Sequence, residues 1–469
     1  MANIQYTPLD PSKTEIRLIE LLPRASSGTQ TPRCNLVRVS LQAKPDFVAL
    51  SYTWGNPRDT QLVTVGKTLV AVTRNLYSAL EHLRYQKTIR TLWIDALCIN
   101  QSDEDEKSWQ VGLMKDIYSR ATSVCIWLGP ADTTSDKAMD FLRSFGTKAM
   151  RFSLDRGSDA FQEVIARWTK LASKALTIRD QSTAQFTFRF NDGSSSSFIE
   201  GDLNDLYYSI SGSHEQNALI PIQEIQNLFE RSWWSRTWVL QELSLARKAC
   251  FVCGNKVLSR RRCIAAFYAI RALGLVLNNN FTLRRAISTP YQLSVASASL
   301  DGCPNTILGM SDTQKHAPLS LLALLHVTCL REVKAPVVYR ASTYFEATDP
   351  RDKVYGILGL AIDKDELKEL GVRPDYTQSC QDAYICAATA LLKQGHISIL
   401  SLVQFPKNQN DLPSWVPDWS NPRRVTLQQA ESADHITLKP EYKACGSLNQ
   451  MYPQLWGDKN RVDIGVCLR

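Results

Sequence analysis

The stretch Arg231-Ser-Trp-Trp-Ser-Arg-Thr-Trp-Val-Leu-Gln-Glu-Leu-Ser-Leu-Ala-Arg-Lys248 decides how the chain is read. Its pattern predicts a helix of about four turns. Ser232 or Ser235 is placed to cap the start, and Arg247 and Lys248 fall in the last turn, where cations suit the helix dipole. Val239, Leu243 and Ala246 recur at helical spacing and form an inward stripe. Trp238 and Glu242, four apart, share a second face. The apolar run Ala249-Cys-Phe-Val-Cys253, closed by Gly254-Asn255, follows at once, so the helix feeds a strand. A carboxylate one turn from a tryptophan on such a helix suits a nucleotide pocket. It suits a surface helix equally, and the surrounding chain has to decide.

Three solid apolar runs precede this stretch: Phe47-Val-Ala-Leu-Ser-Tyr52, Thr91-Leu-Trp-Ile-Asp95 and Ser123-Val-Cys-Ile-Trp-Leu128. Helical patterns at 75–83, 104–119 and 136–145 separate and follow them. In the second helix Val111, Met114 and Tyr118 face inward. Continuous apolar strands alternating with helices are the mark of a parallel sheet covered on both faces. The expected fold is therefore α/β, a doubly wound parallel sheet spanning residues 45–255. Residues 147–221 break the rhythm with Ala166-Arg-Trp-Thr-Lys-Leu171, which reads as helix, and a polar run at 185–197. They read as a long, partly disordered insertion. Residues 1–44 read as a β lead-in, in which Glu15-Ile-Arg-Leu-Ile-Glu20 and Leu36-Val-Arg-Val-Ser-Leu41 alternate like a hairpin. Beyond Gly254 helical patterns at 263–277, 319–330 and 379–393 predict a mainly helical C-terminal region, 256–469. Within it Asp349 and Arg351 read as a buried ion pair, and Leu412-Pro-Ser-Trp-Val-Pro-Asp-Trp419 as a packed turn or docking strand. The end, Val466-Cys-Leu-Arg469, has no structural stop, as a shortened form would.

Composition excludes several classes. A chain of 469 residues with 44% hydrophobic and 21% charged residues is globular and long enough for two to three domains. The net charge of +8 is spread thinly; its densest clusters, Arg260-Arg-Arg262 and Arg284-Arg285, lack the aromatic interleaving or finger spacing of a nucleic-acid binder. The twelve cysteines sit mostly inside apolar runs, Cys98, Cys125, Cys250, Cys329 and Cys386 among them, as free thiols do in a reducing compartment. Cys250-Phe-Val-Cys253 has CxxC spacing, but no second pair matches it and strand residues three apart face opposite ways, so no metal is expected. The N-terminus lacks a signal pattern, and no apolar run approaches the length of about 18 residues that spans a bilayer. The expectation is a cytoplasmic protein without a membrane span. No GxSxG, Walker loop or HExxH is present, and the six histidines are scattered.

Several blocks carry a family resemblance. Phe-Val-Ala-Leu-Ser-Tyr-Thr-Trp-Gly-Asn-Pro at 47–57 resembles the opening block of the fungal heterokaryon-incompatibility, or HET, domain. Leu-Trp-Ile-Asp-Ala-Leu-Cys-Ile-Asn-Gln at 92–101 resembles its second block, and 109–129 and 232–254 its third and fourth. Asp-Pro-Arg-Asp-Lys-Val-Tyr-Gly at 349–356 and the segment 412–419 are similar to what commonly follows. The resemblance implies a fungal factor of self/non-self recognition whose activation leads to growth arrest or cell death. It also implies a distant likeness to the TIR domain, hence a flavodoxin-like sheet. The TIR pattern for NAD cleavage places a Trp four residues before a Glu on the helix preceding the fourth strand, and Trp238-Val-Leu-Gln-Glu242 keeps that spacing. Val239 stands where TIR enzymes often carry Cys, and Ser235 lies three rather than two before Trp238.

Ligands of a doubly wound sheet sit outside the carboxyl ends of its strands. Those ends supply Ser51, Tyr52, Trp54 and Arg58, then Asp95, Asn100 and Gln101. With the resemblance, the expected chemistry is an NAD glycohydrolase with NAD as substrate and no cofactor. Glu242 is the carboxylate that stabilises the ribosyl oxocarbenium, Trp238 or Trp54 stacks on substrate, and Arg58 lies near phosphate. Against this stand the plainer roles: Glu242 as a surface helix acid or one paired with a nearby arginine such as Arg247, Asp95 capping its loop, and Trp54, Trp93 and Trp127 as core. A non-catalytic module, acting by self-association or by binding an incompatibility partner protein, is the alternative class.

Overall fold

The computed structural model describes residues 4–24, 31–156, 161–162, 164–166, 169, 221–278, 302–331, 343–409 and 411–424. Most of the expected insertion at 147–221, including its polar run and part of its helix, and the chain end at 466–469 lie outside them. The chain divides into two compact units, Met1–Ser102 with Leu113–Ala317, and Asp103–Gly112 with Pro318–Arg469.

The first unit is built on a nine-stranded sheet. In chain order its strands are β1 (Glu15–Leu21), β2 (Arg33–Ser40), β3 (Val48–Tyr52), β4 (Thr60–Val65), β5 (Thr68–Thr73), β6 (Arg90–Trp93), β7 (Ser123–Trp127), β8 (Ala249–Cys253) and β9 (Lys256–Ser259). They lie in the order β5-β4-β2-β1-β6-β3-β7-β8-β9. The four apolar runs of the sequence are the parallel centre β6-β3-β7-β8, where Ala49 pairs with Val124 and Ile126 with Phe251. The expectation of an all-parallel sheet is corrected: β1 runs antiparallel to both β2 and β6, β4 to β5, and β8 to β9. The sheet is mixed because short tight connections, such as that between β8 and β9, can only return antiparallel.

The predicted hairpin of β1 and β2 forms, with Ile16 opposite Val39, but β1 also bonds to β6. Residues on both faces of β1 are buried, Arg17 among them. Its guanidinium donates to the carbonyls of Cys98 at 3.0 Å and Thr7 at 2.7 Å and lies over the Tyr6 ring. What reads as alternation in β1 is a polar group held inside the sheet.

Helix α1 (Arg74–Leu83) is capped by Thr73, whose hydroxyl accepts from the Leu76 amide, and buries Leu76, Ala79, Leu80 and Leu83 as predicted. The single turn α2 (Asp95–Cys98) follows β6. The helix expected over 104–119 is two: α3 (Glu104–Gly112), in the second unit, and α4 (Met114–Arg120), in the first. Val111, Met114 and Tyr118 are all buried. Helix α5 (Ser135–Ala149) continues the first unit, and α6 (Ile222–Phe229) resumes beyond the insertion.

The long helix expected over 232–248 is also corrected. A turn of 3-10 helix, Ser232–Ser235, precedes α7, Val239–Ser244, which has six residues. Neither Ser232 nor Ser235 supplies a side-chain cap, and Arg247 and Lys248 lie past its end. The break lets two tryptophans turn inward together. Trp233 and Trp234 are buried edge to face at 4.8 Å, and Trp234 stacks on Phe251 of β8 at 5.2 Å. Every residue of α7 is buried, so it has no surface face for Glu242 to occupy. Helices α8 (Arg260–Asn278) and α9 (Cys303–His316) complete this unit. Gly146 of α5 lets α8 approach closely: a Cβ there would meet the Arg262 carbonyl oxygen at 2.1 Å.

The second unit holds α3, α10 (Leu321–Thr328), α11 (Asp352–Leu358), α12 (Lys364–Glu369) and α13 (Cys380–Lys393). A three-stranded sheet accompanies them, with β10 (Cys329–Arg331) between β11 (Thr343–Tyr344) and β12 (Arg423–Arg424). The Asp349–Arg351 pair forms at 2.8 Å and is half-buried; Arg351 also donates to the carbonyls of Tyr376 and Gln378. In the aromatic-proline segment Trp419 is buried edge-on against Tyr384, and Asp418 accepts from the amides of Asn408 and Gln409.

Candidate functional site

Strand β3 ends in Ser51 and Tyr52, both buried where a strand of pure hydrocarbon would be expected. The Ser51 hydroxyl donates to Oε2 of Glu242, and accepts from Trp233 Nε1 at 2.7 Å. One hydroxyl thus ties the central strand to α7 and to the turn before it. Tyr118 of α4 also hydrogen-bonds the Glu242 carboxyl and donates to the Leu50 carbonyl at 3.3 Å. Glu242 is 3% exposed. Burial raises its carboxyl to about 7, against the pull of the Arg236 charge and the Ser51 hydrogen bond; the negative Asp95 pushes the same way as burial.

A second cluster adjoins the first. Asp95, at the carboxyl end of β6, accepts from Trp54 Nε1 at 2.7 Å, from the Ala96 amide at 2.7 Å and from the Tyr52 hydroxyl. Burial raises its carboxyl, opposed first by Arg236. Arg236 donates to the Tyr52 carbonyl, and its charge acts on both acids. Tyr52 and Tyr118 are both held protonated far above the usual phenol range, by burial first and by the acids beside them. Two carboxyls, one guanidinium, two phenols and a serine converge at the carboxyl end of the sheet, Asp95 and Arg236 half-buried and the others buried. Trp54 is the outermost of the group, 39% exposed.

Of the residues named from sequence, Glu242, Ser51, Tyr52, Asp95 and Trp54 come together. Asn100 serves a local turn, accepting from the Ser102 hydroxyl at 2.7 Å, while Gln101 donates to the Asp95 carbonyl at 3.1 Å. Arg58 is exposed in the loop before β4, its amide bonded to Asn56. Trp238 is half-buried at the start of α7, and its carbonyl accepts from the Glu242 amide. The tryptophan tied to Glu242 through Ser51 is Trp233. Sequence reasoning missed Trp233, Arg236 and Tyr118. A lone serine ending a buried strand was the available signal, since its hydroxyl requires buried partners.

Outside the carboxyl ends of β3 and β7 lies a groove of about 530 Å³, lined by Asn56, Asp59, Arg74, Asn75 and Pro130 among others. Asn75 braces it, donating to the Thr53 carbonyl at 2.6 Å and accepting from Trp127 Nε1 at 3.0 Å.

Residues 47–242 match the family model described as heterokaryon incompatibility protein (HET). The chain is also 31% identical over 476 residues to heterokaryon incompatibility protein 6, OR allele, of Neurospora crassa. Over residues 47–242 this chain carries a HET domain. The matched HET region opens on the residue before β3 and closes on Glu242, so both partners of the Ser51–Glu242 bond lie within it. The likeness to the Neurospora protein covers 94% of this chain, which spans 61% of that relative's length. No solved structure matches the chain. Among the described residues no helix is long and apolar enough to cross a membrane.

Proposed function

We propose that this HET-domain chain acts in fungal self/non-self recognition and that its effector step, which leads to growth arrest or cell death, is cleavage of NAD at Glu242. The HET-domain match and the likeness to a heterokaryon incompatibility protein support the role. The chemistry rests on one observation: a buried carboxyl with its proton affinity raised to about 7, held by Ser51 and Tyr118 within the charge of Arg236.

The strand order supports the TIR-like reading. Numbered in chain order, the parallel centre β6-β3-β7-β8 runs 2-1-3-4, the flavodoxin-like sequence, and its order reverses between β3 and β7. The groove lined by Asn56, Asn75 and Pro130 lies at that reversal and would take the nucleotide. Scission of the nicotinamide–ribose bond develops positive charge on the ribose, which an ionised Glu242 stabilises in a site of low dielectric. Nicotinamide departs as a neutral ring, so no second acid is required. The exposed Trp54 is the ring available for stacking. Because Glu242 is enclosed, substrate entry requires the Ser51–Glu242 contact to open.

That enclosure favours a second reading, in which Glu242 is a structural acceptor and the domain signals by self-association or by binding a partner protein. One experiment separates the two. The assembled protein is incubated with NAD and free nicotinamide is followed beside Glu242→Gln. The catalytic reading expects turnover that rises as pH passes through about 7 and a loss of at least about a hundredfold in the variant. Absence of turnover in assembled protein sinks it, and unchanged turnover in the variant removes Glu242 from the site.

A further inference from the structure

Two cysteines that the Glu242 cluster does not use stand side by side in the sheet. Cys125 of β7 and Cys250 of β8 are direct register partners on adjacent parallel strands. Partners in register project to the same face, and neighbouring strands lie about 4.8 Å apart, inside the roughly 4.4–6.8 Å Cα span that a disulfide bridges. Both thiols are free. Cys125 is buried, whereas Cys250 is half-buried, within reach of a small solute. The guanidinium of Arg90, at the start of β6, acts on both sulfurs, and its Nε is buried without a hydrogen-bond partner.

These neighbours divide the labour between the two thiols. Hydrogen bonding with Cys125 holds Cys250 below the ordinary thiol value, and the Arg90 charge adds to the effect. Cys125 is held well above it, first by Cys250 and then by burial, so it keeps its proton. Burial pushes the Cys34 thiol up to about 12, and Cys98 and Cys263 higher still.

We propose that Cys125 and Cys250 are a peroxide-responsive pair that closes to a cross-strand disulfide. The Cys250 thiolate attacks one peroxide oxygen, the O–O bond breaks, and hydroxide leaves, giving a sulfenic acid. The Cys125 sulfur then attacks the Cys250 sulfur, and the sulfenic hydroxyl departs as water with the Cys125 proton. In total the two thiols lose two electrons and hydrogen peroxide is reduced to water. The bond would tie β8, which begins five residues after α7 ends, to β7. The pair stands independently of any reaction at Glu242.

The test uses the whole chain. It is exposed to stoichiometric hydrogen peroxide at neutral pH, alkylated under denaturing conditions and mapped by peptide mass. The expected product is a linked Cys125–Cys250 peptide lighter by two hydrogens, with Cys34, Cys98 and Cys263 alkylated. Recovery of Cys125 and Cys250 as free thiols, or Cys250 joined to a different cysteine, overturns the proposal. In Cys125→Ser the same treatment should stop at a Cys250 sulfenic acid captured by dimedone; a reduced Cys250 there counts against the order of attack. The map of the unaltered protein decides the disulfide whether or not the variant folds.

Discussion

The most consequential single residue is Glu242, because it carries a buried carboxyl in a place where the sequence offers no cation directly bonded to it. Its folded-state value, about 7, lies above the ordinary 4.5, so the folded protein holds this proton more tightly than the unfolded chain does. The stability it brings is therefore full below about pH 4.5 and is lost as pH rises towards 7, a change on the order of 3 kcal/mol. Glu242→Gln keeps an acceptor for Ser51 and removes the titration. The difference in urea unfolding free energy between variant and wild type should grow in the variant's favour between about pH 5 and about pH 8; a difference independent of pH would refute the raised value. Ser51→Ala makes the complementary case. It strands the Trp233 indole N–H and one Glu242 oxygen inside the sheet, and should destabilise the fold by about 2–3 kcal/mol in the same measurement.

At the scale of elements, length and composition explain less than contact does. Helix α7 has six residues, too few to be stable alone, and exists because every one of them is buried against the sheet and its neighbours. Its sequence nevertheless scans as part of a longer amphipathic helix, since Val239, Leu243 and Ala246 keep helical spacing. The tryptophans before it broke that helix by seeking the Phe251 face. The pairing of α5 with α8 rests on the absence of a side chain at Gly146. Gly146→Ala forces a methyl into the Arg262 backbone, which cannot swing aside as a side chain can, and should cost about 3 kcal/mol or more by thermal or urea unfolding. A variant as stable as the wild type would mean that the two helices do not cross as closely as described.

For the first unit as a whole, the sheet does not stop where the family match begins. The HET match opens at residue 47, yet β6 is bonded on one side by β1, which in turn holds β2 and, through it, β4 and β5. A fragment of residues 45–317 keeps the rest of this unit but loses the two interior strands β1 and β2 and leaves apolar edges on both sides of the gap. It should fail to unfold cooperatively in circular dichroism, whereas the chain retaining residues 1–44 should show a single steep transition for this unit. Cooperative unfolding of the fragment would show that the hairpin of β1 and β2 is dispensable.

The four parallel strands were legible in the sequence because a strand buried on both faces must be apolar throughout, and Phe47–Tyr52, Thr91–Asp95, Ser123–Leu128 and Ala249–Cys253 are unbroken enough to be recognised alone. Helix α1 was legible for the same kind of reason, a capping Thr73 and an apolar stripe at helical spacing. Ser51, Tyr52, Trp54 and Asp95 could be named because strand ends are where an α/β sheet gathers polar groups, and Glu242 because it follows Trp238 by four residues in the block that carries the family resemblance. The pairing of β1 with β6, the break before α7, and the roles of Trp233, Arg236 and Tyr118 were decided only by the tertiary structure. Each depends on a hydrogen bond or packing contact between residues remote in sequence, Ser51 with Glu242 above all, and local periodicity carries no information about such partners.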